Sequence, residues 1–226
     1  MMDKIRAVLF DLDDTLISRR ETFAGFSESF VRRFFPAEDA AGQARAVAAL
    51  RRLDREGDAT RPDLFFHLFG ELNVDLPPIG EMIDFWNTEF PKYLVLFDDM
   101  FRLLGELRRA GFRLGLVTNG AAPLQNGKIE RGRLRPAFDT VVVSGEQPFD
   151  KPQREIFELA LHRLAVAPDA AVYVGDNLIN DIYGAQKAGM RAVWANFYHR
   201  GNPTAVRPDG EFDTADGLRR WIDDRA

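Results

Sequence analysis

Apolar residues fall along this chain in two rhythms. Short, nearly continuous apolar runs occur at residues 5–10 (Ile-Arg-Ala-Val-Leu-Phe), 112–117, 140–143, 171–174 and 191–195. Runs of that length suit strands covered on both faces. Between the later runs the period becomes helical. Leu103, Leu104 and Leu107 precede Gly111, a helix C-terminal cap; Ile156, Phe157, Ala160, Leu161 and Leu164 recur at helical spacing, as do Ile182, Ala185 and Ala188 before Gly189. Strands alternating with helices predict parallel strands joined by right-handed crossovers, hence a Rossmann-like open α/β sheet.

Residues 18–97 break the alternation. Phe23, Phe26, Phe30 and Phe34 make one apolar helical stripe, and a second helix is predicted from Glu38 to about Arg55. Arg61-Pro62-Asp63 opens a third, carrying Leu64, Phe65, Leu68 and Phe69; Pro77-Pro78 breaks the chain before a fourth, centred on Met82 to Phe90. The aromatic stripes read as helix-packing core rather than as a ligand box. The expected organisation is an α/β core of residues 1–17 and 98–226 with an all-helical domain, 18–97, inserted after the first strand. Thr204 to Asp213 reads as a loop containing Pro and Gly, and Asp216 to Arg225 as a closing helix.

Composition narrows the function classes. A chain of 226 residues, 46% apolar and 29% charged, can bury a full core, and its net charge of −5 with no basic run argues against a nucleic-acid polymer as partner. The absence of cysteine excludes disulfides and thiolate zinc sites and fits a reducing compartment, while three histidines are too few for a histidine-rich metal site. Asp3, Lys4 and Arg6 stand where a secretory signal needs an apolar run, and no stretch approaches the roughly 20 apolar residues of a membrane span. A cytoplasmic protein without a membrane partner, monomeric or homodimeric, is expected.

The candidate chemistry sits at the ends of the predicted strands, where open α/β sheets bind ligands. Asp11-Leu12-Asp13-Asp14-Thr15-Leu16 follows the first; its carboxylates repel one another unless a cation lies between them, and oxygen-only ligands suit Mg²⁺. Thr118-Asn119-Gly120 ends the second with a hydroxyl, an amide and free backbone donors that can hold phosphate. Lys151-Pro152 follows the third, with Pro152 placed to open a helix, and Gly175-Asp176 with Asp181 follows the fourth. Taken singly these are an acidic turn, an ordinary strand-to-helix turn, an unremarkable lysine and a helix cap. Taken together, four successive strand ends supply complementary charge to one crevice.

In these motifs the chain resembles the haloacid dehalogenase-like hydrolase superfamily: Asp11-x-Asp13-x-Thr15, Thr118, Lys151, and Gly175-Asp176 with Asp181, in that order and across essentially the whole chain. The resemblance implies that Asp11 is a nucleophile forming an aspartyl phosphate and Asp13 a general acid and base. It further implies that Mg²⁺ is held by Asp11, the Asp13 backbone carbonyl and Asp176, that Thr118 and the Asn119 N–H bind phosphoryl oxygens, that Lys151 offsets charge, and that Asp181 orients metal-bound waters or Lys151. Family dehalogenases lack an acid two residues after the nucleophile, so Asp13 favours phosphoryl transfer. The implied function is hydrolysis of a small phosphorylated metabolite, with nucleoside monophosphates among the candidates. The Val-Thr-Asn-Gly turn, the run from Phe138 through Pro152, and Trp194-Ala195-Asn196 are similar to the bacterial pyrimidine 5'-nucleotidase branch, and the N-acylneuraminate-9-phosphatase and phosphoglycolate phosphatase branches share much of this pattern. A sugar-phosphate mutase, a 2-haloacid dehalogenase and a non-catalytic regulatory protein remain as alternatives. Selectivity in such a protein lies largely in the helical cap. There Arg19, Arg20 and the phenylalanines are candidates to line the entrance, although the two arginines read more simply as solvated.

Overall fold

A computed structural model describes residues 4–57 and 59–226, so the reading placed on Asp3 lies outside the described residues. The chain divides into two compact units, Met1–Ser18 with Leu96–Ala226, and Arg19–Val95.

The second unit is helical. It contains α1 (Arg19–Phe34), α2 (Ala40–Leu53), α3 (Arg61–Glu71) and α4 (Ile79–Glu89). Asp39 and Thr60 accept from backbone N–H groups in the first turns of α2 and α3, satisfying donors that have no partner within the helix. The phenylalanine stripe is core: Phe23, Phe26 and Phe30 surround Trp86 at centroid distances of 5.6, 4.6 and 5.9 Å, with Phe65 and Phe90 closing the cluster. Arg19 departs from its expected solvated state. Its guanidinium pairs at 2.8 Å with Asp54, which is 1% exposed, and Arg61 joins the same carboxylate at 3.0 Å while lying over the Trp86 ring. A carboxylate buried that deeply requires paired charge, and the fixed arginine fork supplies it. Arg20 stays exposed, 3.7 Å from Glu56.

The first unit is built on a six-stranded parallel sheet. Its strands are β1 (Ala7–Phe10), β2 (Arg113–Thr118), β3 (Thr140–Val143), β4 (Ala171–Gly175), β5 (Arg191–Ala195) and β6 (Gly210–Phe212), in the order β3-β2-β1-β4-β5-β6. The crossovers carry α5 (Asp98–Arg109), α6 (Ala122–Arg131), α7 (Arg154–Leu164) and α8 (Gly184–Lys187), and α9 (Ala215–Asp223) closes the chain. β1 is central and pairs with β2 and β4 across all four of its residues, which explains why it is buried and apolar throughout. Two expectations are corrected. A sixth strand forms inside the predicted loop, because Asp209 N donates to Ala192 O at 2.8 Å and Asn196 N to Phe212 O at 2.8 Å. Pro152 does not open a helix: α7 starts at Arg154, and Pro152 sits in the preceding turn. Among the described residues no helix is long and apolar enough to cross a membrane.

Candidate active site

The carboxyl ends of β1 to β4 carry the candidate residues into one crevice. Asp11 leaves β1 with its N–H donating to Val174 O of β4 at 2.9 Å. The chain then turns sharply: Asp14 adopts φ of 50°, a left-handed conformation that aspartate tolerates better than bulky residues, and Leu16 and Ile17 both donate back to Leu12 O. The Thr15 hydroxyl is fully buried without a hydrogen-bond partner.

Lys151 is the centre of the cluster. Its ammonium, 3% exposed, donates to Asp11 Oδ1 at 2.6 Å, to Asp181 Oδ1 at 2.7 Å and to the Tyr173 hydroxyl at 3.1 Å. Tyr173 in turn donates to Val117 O at 2.8 Å. Its loop is locked to the end of β2 by a reciprocal pair: Asn119 Nδ2 donates to Lys151 O and Lys151 N to Asn119 Oδ1, each at 2.9 Å. Asp181 returns to the crevice from the wide turn at Leu178–Tyr183, accepting from Asn177 N at 2.9 Å. Gly175 makes that return possible, since a Cβ there would collide with the Asp181 side chain.

Carboxylate oxygens of Asp11, Asp176 and Asp181 lie within 4.8 Å of one another. Burial raises the Asp11 carboxyl to about 7, against the opposing pull of Lys151 and with help from Asp181 and Asp13. Burial also pushes Asp176 well above the usual carboxylate range, reinforced by Asp181, Asp11 and Asp14 and opposed by Arg200. Burial alone would lower the Lys151 ammonium; Asp11 and Asp181 more than reverse this, so it stays charged. A buried, oxygen-only set of mutually repelling carboxylates fits a hard divalent cation, which would offset the repulsion that burial intensifies.

The Asp13 carboxylate is not in that set. It lies against α6, where Lys128 Nζ is 2.8 Å from both of its oxygens and Gln125 Nε2 is 3.2 Å from one. Gln125 Nε2 also reaches Thr118 Oγ1 at 2.9 Å and Asn119 O at 2.5 Å. Two further groups border the site without having been read from the sequence. Arg200 Nη1 donates to Asp176 Oδ2 at 3.1 Å, and the Tyr198 hydroxyl to Asp14 Oδ1 at 3.1 Å. Polar side chains on a helix or in a long loop ordinarily face solvent. The one clue was the three-residue spacing of Gln125 and Lys128, which puts both on one face of α6.

A family model described as "Haloacid dehalogenase-like hydrolase" matches residues 8–195, a span containing every one of these strand ends. The chain belongs to the haloacid dehalogenase-like hydrolases. This hydrolase is 34% identical over 217 residues to a glyceraldehyde 3-phosphate phosphatase of Methanopyrus kandleri, covering 94% of the chain and 91% of the relative. It is 41% identical over 112 residues to the human N-acylneuraminate-9-phosphatase, covering 49% of the chain and 45% of that protein. Its fold matches the HAD-hydrolase YfnB of Bacillus subtilis, solved bound to magnesium, with a TM-score of 0.79 at 23% identity, covering 97% of this chain and 99% of that one.

Proposed function

We propose that this hydrolase cleaves phosphate from a small phosphorylated metabolite through an aspartyl phosphate on Asp11. The observation that carries the reading is the buried Lys151 ammonium between Asp11 and Asp181, on a loop tied to Asn119. That arrangement offers a carboxylate nucleophile, a cation beside it and a strand end suited to phosphate in one crevice.

An Asp11 oxygen forms the new bond to phosphorus as the ester P–O bond breaks. The Asp13 carboxyl gives its proton to the departing oxygen. Asp13 then takes a proton from a water whose oxygen attacks phosphorus, and cleavage of the Asp11–phosphorus linkage releases phosphate and restores the carboxylate. Thr118 and the Asn119 N–H hold phosphoryl oxygens, and Lys151 balances the charge that accumulates around Asp11. Mg²⁺, held by Asp11, Asp176 and the Asp13 carbonyl, would supply the electrostatic screening that lets two anions meet. Asp181 keeps Lys151 in register with Asp11. In this reading the Arg19–Val95 unit is the cap, and it carries the selectivity for the organic part of the substrate.

The test is phosphate release from triose phosphates, sugar phosphates, nucleoside monophosphates, phosphoserine and p-nitrophenyl phosphate, with Mg²⁺ and with EDTA. Metal-dependent release is expected from at least one small metabolite, and the preferred one names the substrate class. Release of halide from a 2-haloacid, or retention of phosphate on an organic product, would replace this reading with dehalogenase or mutase chemistry.

The metal assignment makes a separate prediction. Because Asp11 and Asp176 hold protons more tightly folded than unfolded, their contribution to the stability of the metal-free protein is present in full below the ordinary carboxylate range and is lost as pH rises, through about 7 for Asp11. A bound cation displaces those protons. Mg²⁺ is therefore expected to raise the thermal midpoint more at about pH 8 than at about pH 5.5. Equal shifts at both values in thermal scans would contradict metal binding at these carboxylates.

A further inference from the structure

Lys128 is buried as deeply as Lys151, yet the reaction outlined above gives it no part. Its ammonium is 3% exposed and equidistant, at 2.8 Å, from the two Asp13 oxygens. A lysine taken that far out of water is costly unless it serves a fixed partner, and a more exposed salt bridge would give comparable stability at less cost. One turn before it on α6, Gln125 touches Asp13, the Thr118 hydroxyl and the Asn119 carbonyl with a single amide nitrogen. α6 is therefore bonded at once to the Asp13 carboxylate and to the strand end suited to phosphate.

We propose that Lys128, supported by Gln125, is a positioning residue for leaving-group protonation: it fixes the Asp13 carboxyl relative to the phosphate-binding turn. The inference rests on the acid–base reading of Asp13. As the ester P–O bond breaks, the proton moves from Asp13 to the departing oxygen and leaves a carboxylate. An ammonium touching both oxygens holds the plane of that group fixed beside the phosphate-binding turn. The same contact restrains rotation of the Asp13 side chain, keeping its oxygens within reach of the reacting ester.

A purely structural lysine and a positioning lysine differ in how their loss depends on the leaving group. An alkoxide needs a proton to depart, whereas p-nitrophenolate departs without one. kcat/KM reports only steps up to release of the first product, so hydrolysis of the phosphoenzyme does not enter the comparison. Wild type, Lys128→Met, Lys128→Gln, Lys128→Arg and Asp13→Asn would be assayed with β-glycerophosphate and p-nitrophenyl phosphate, with thermal unfolding as the check on folding. Lys128→Met and Lys128→Gln are expected to lower kcat/KM about 100-fold for β-glycerophosphate and only a few-fold for p-nitrophenyl phosphate. Lys128→Arg, which keeps the charge, is expected to recover most of the loss on the alkyl ester.

Equal losses on both esters, or no loss on either, in variants that unfold cooperatively would overturn the proposal. Asp13→Asn separates the two levels. If it shows the leaving-group split and the Lys128 variants do not, the Lys128 inference fails while the acid–base reading stands. If Asp13→Asn shows no split, Asp13 is not the acid, and the inference falls with the reading beneath it.

Discussion

Lys151→Met is expected to lower the thermal midpoint of the metal-free protein by about 10 °C and to abolish phosphate release. The ammonium it removes is 3% exposed and bonds two carboxylates that are themselves at most 9% exposed. Methionine fills a similar volume, so the loss is one of charge rather than of packing. Asp11, Asp176 and Asp181 would then face one another, with Arg200 paired to Asp176 alone of the three among the described residues. Removing one partner of a buried pair costs about 3–5 kcal/mol, because the remaining charge has neither water nor a counterion. In a chain of this size each kcal/mol is worth about 2–4 °C. Mg²⁺ should restore part of the stability and none of the activity. A midpoint within a degree or two of wild type would mean that Lys151 does not neutralise this cluster.

Asp11→Asn is expected to show the opposite balance between stability and turnover. The amide keeps the shape of the carboxylate and an oxygen to accept from Lys151, so the hydrogen-bonded frame of Tyr173, Lys151 and Asp181 survives. One of the repelling charges is gone, and with it the group that burial raises to about 7. The metal-free midpoint near neutral pH should therefore stay within a few degrees of wild type. Phosphate release should fall by about four orders of magnitude or more, since an amide oxygen is a poor nucleophile and its phosphoryl adduct cannot form and hydrolyse in the same way. Colorimetric phosphate assay and thermal unfolding on the same preparation decide it. Near-wild-type turnover would remove Asp11 as nucleophile.

Most of the sheet was legible because its strands are buried on both faces. Thr140–Val143 and Arg191–Ala195 form over the expected residues, and the other runs shift by only one or two positions at their ends. In such strands every residue faces apolar neighbours, so composition alone marks them. β6 was not legible for the converse reason. Gly-Glu-Phe contributes one buried side chain, and the strand exists because β5 offers its edge and Trp221 packs over Gly210, a long-range event with no local pattern. In the helical unit the phenylalanine stripe and the proline breaks led to the four helices that form, but nothing local distinguishes Arg19 from Arg20. Only the fold brings Asp54 to one of them.

The candidate site divides along the same line. Asp11, Thr118, Asn119, Lys151, Asp176 and Asp181 follow strand ends, and the parallel order of the sheet makes those ends neighbours. Lys128, Gln125, Tyr198 and Arg200 arrive from the middle of a helix and from a long loop. Their roles depend on which groups they meet, and a sequence pattern records the face of a residue but not the identity of what lies across from it. The Asp13 side chain shows the limit most clearly. Its position in the motif says that it is near the nucleophile, and only the fold reveals that it lies against α6.

The central place of β1 also sets a timetable for the molecule's birth. Phe10 pairs with Leu116 on one side and Val174 on the other, so the strand that delivers Asp11 has no sheet partner until β2 has been synthesised and no second one until β4 has. At the usual pace of translation, β1 waits on the order of ten seconds on the ribosome with its apolar side chains unmatched. The helical segment Arg19–Val95 is contiguous and emerges complete in that interval, able to fold while the sheet still lacks its neighbours. The nucleophile is thus made before the strands that flank it, and by the topology of the sheet it reaches its working environment only when the later of them pairs.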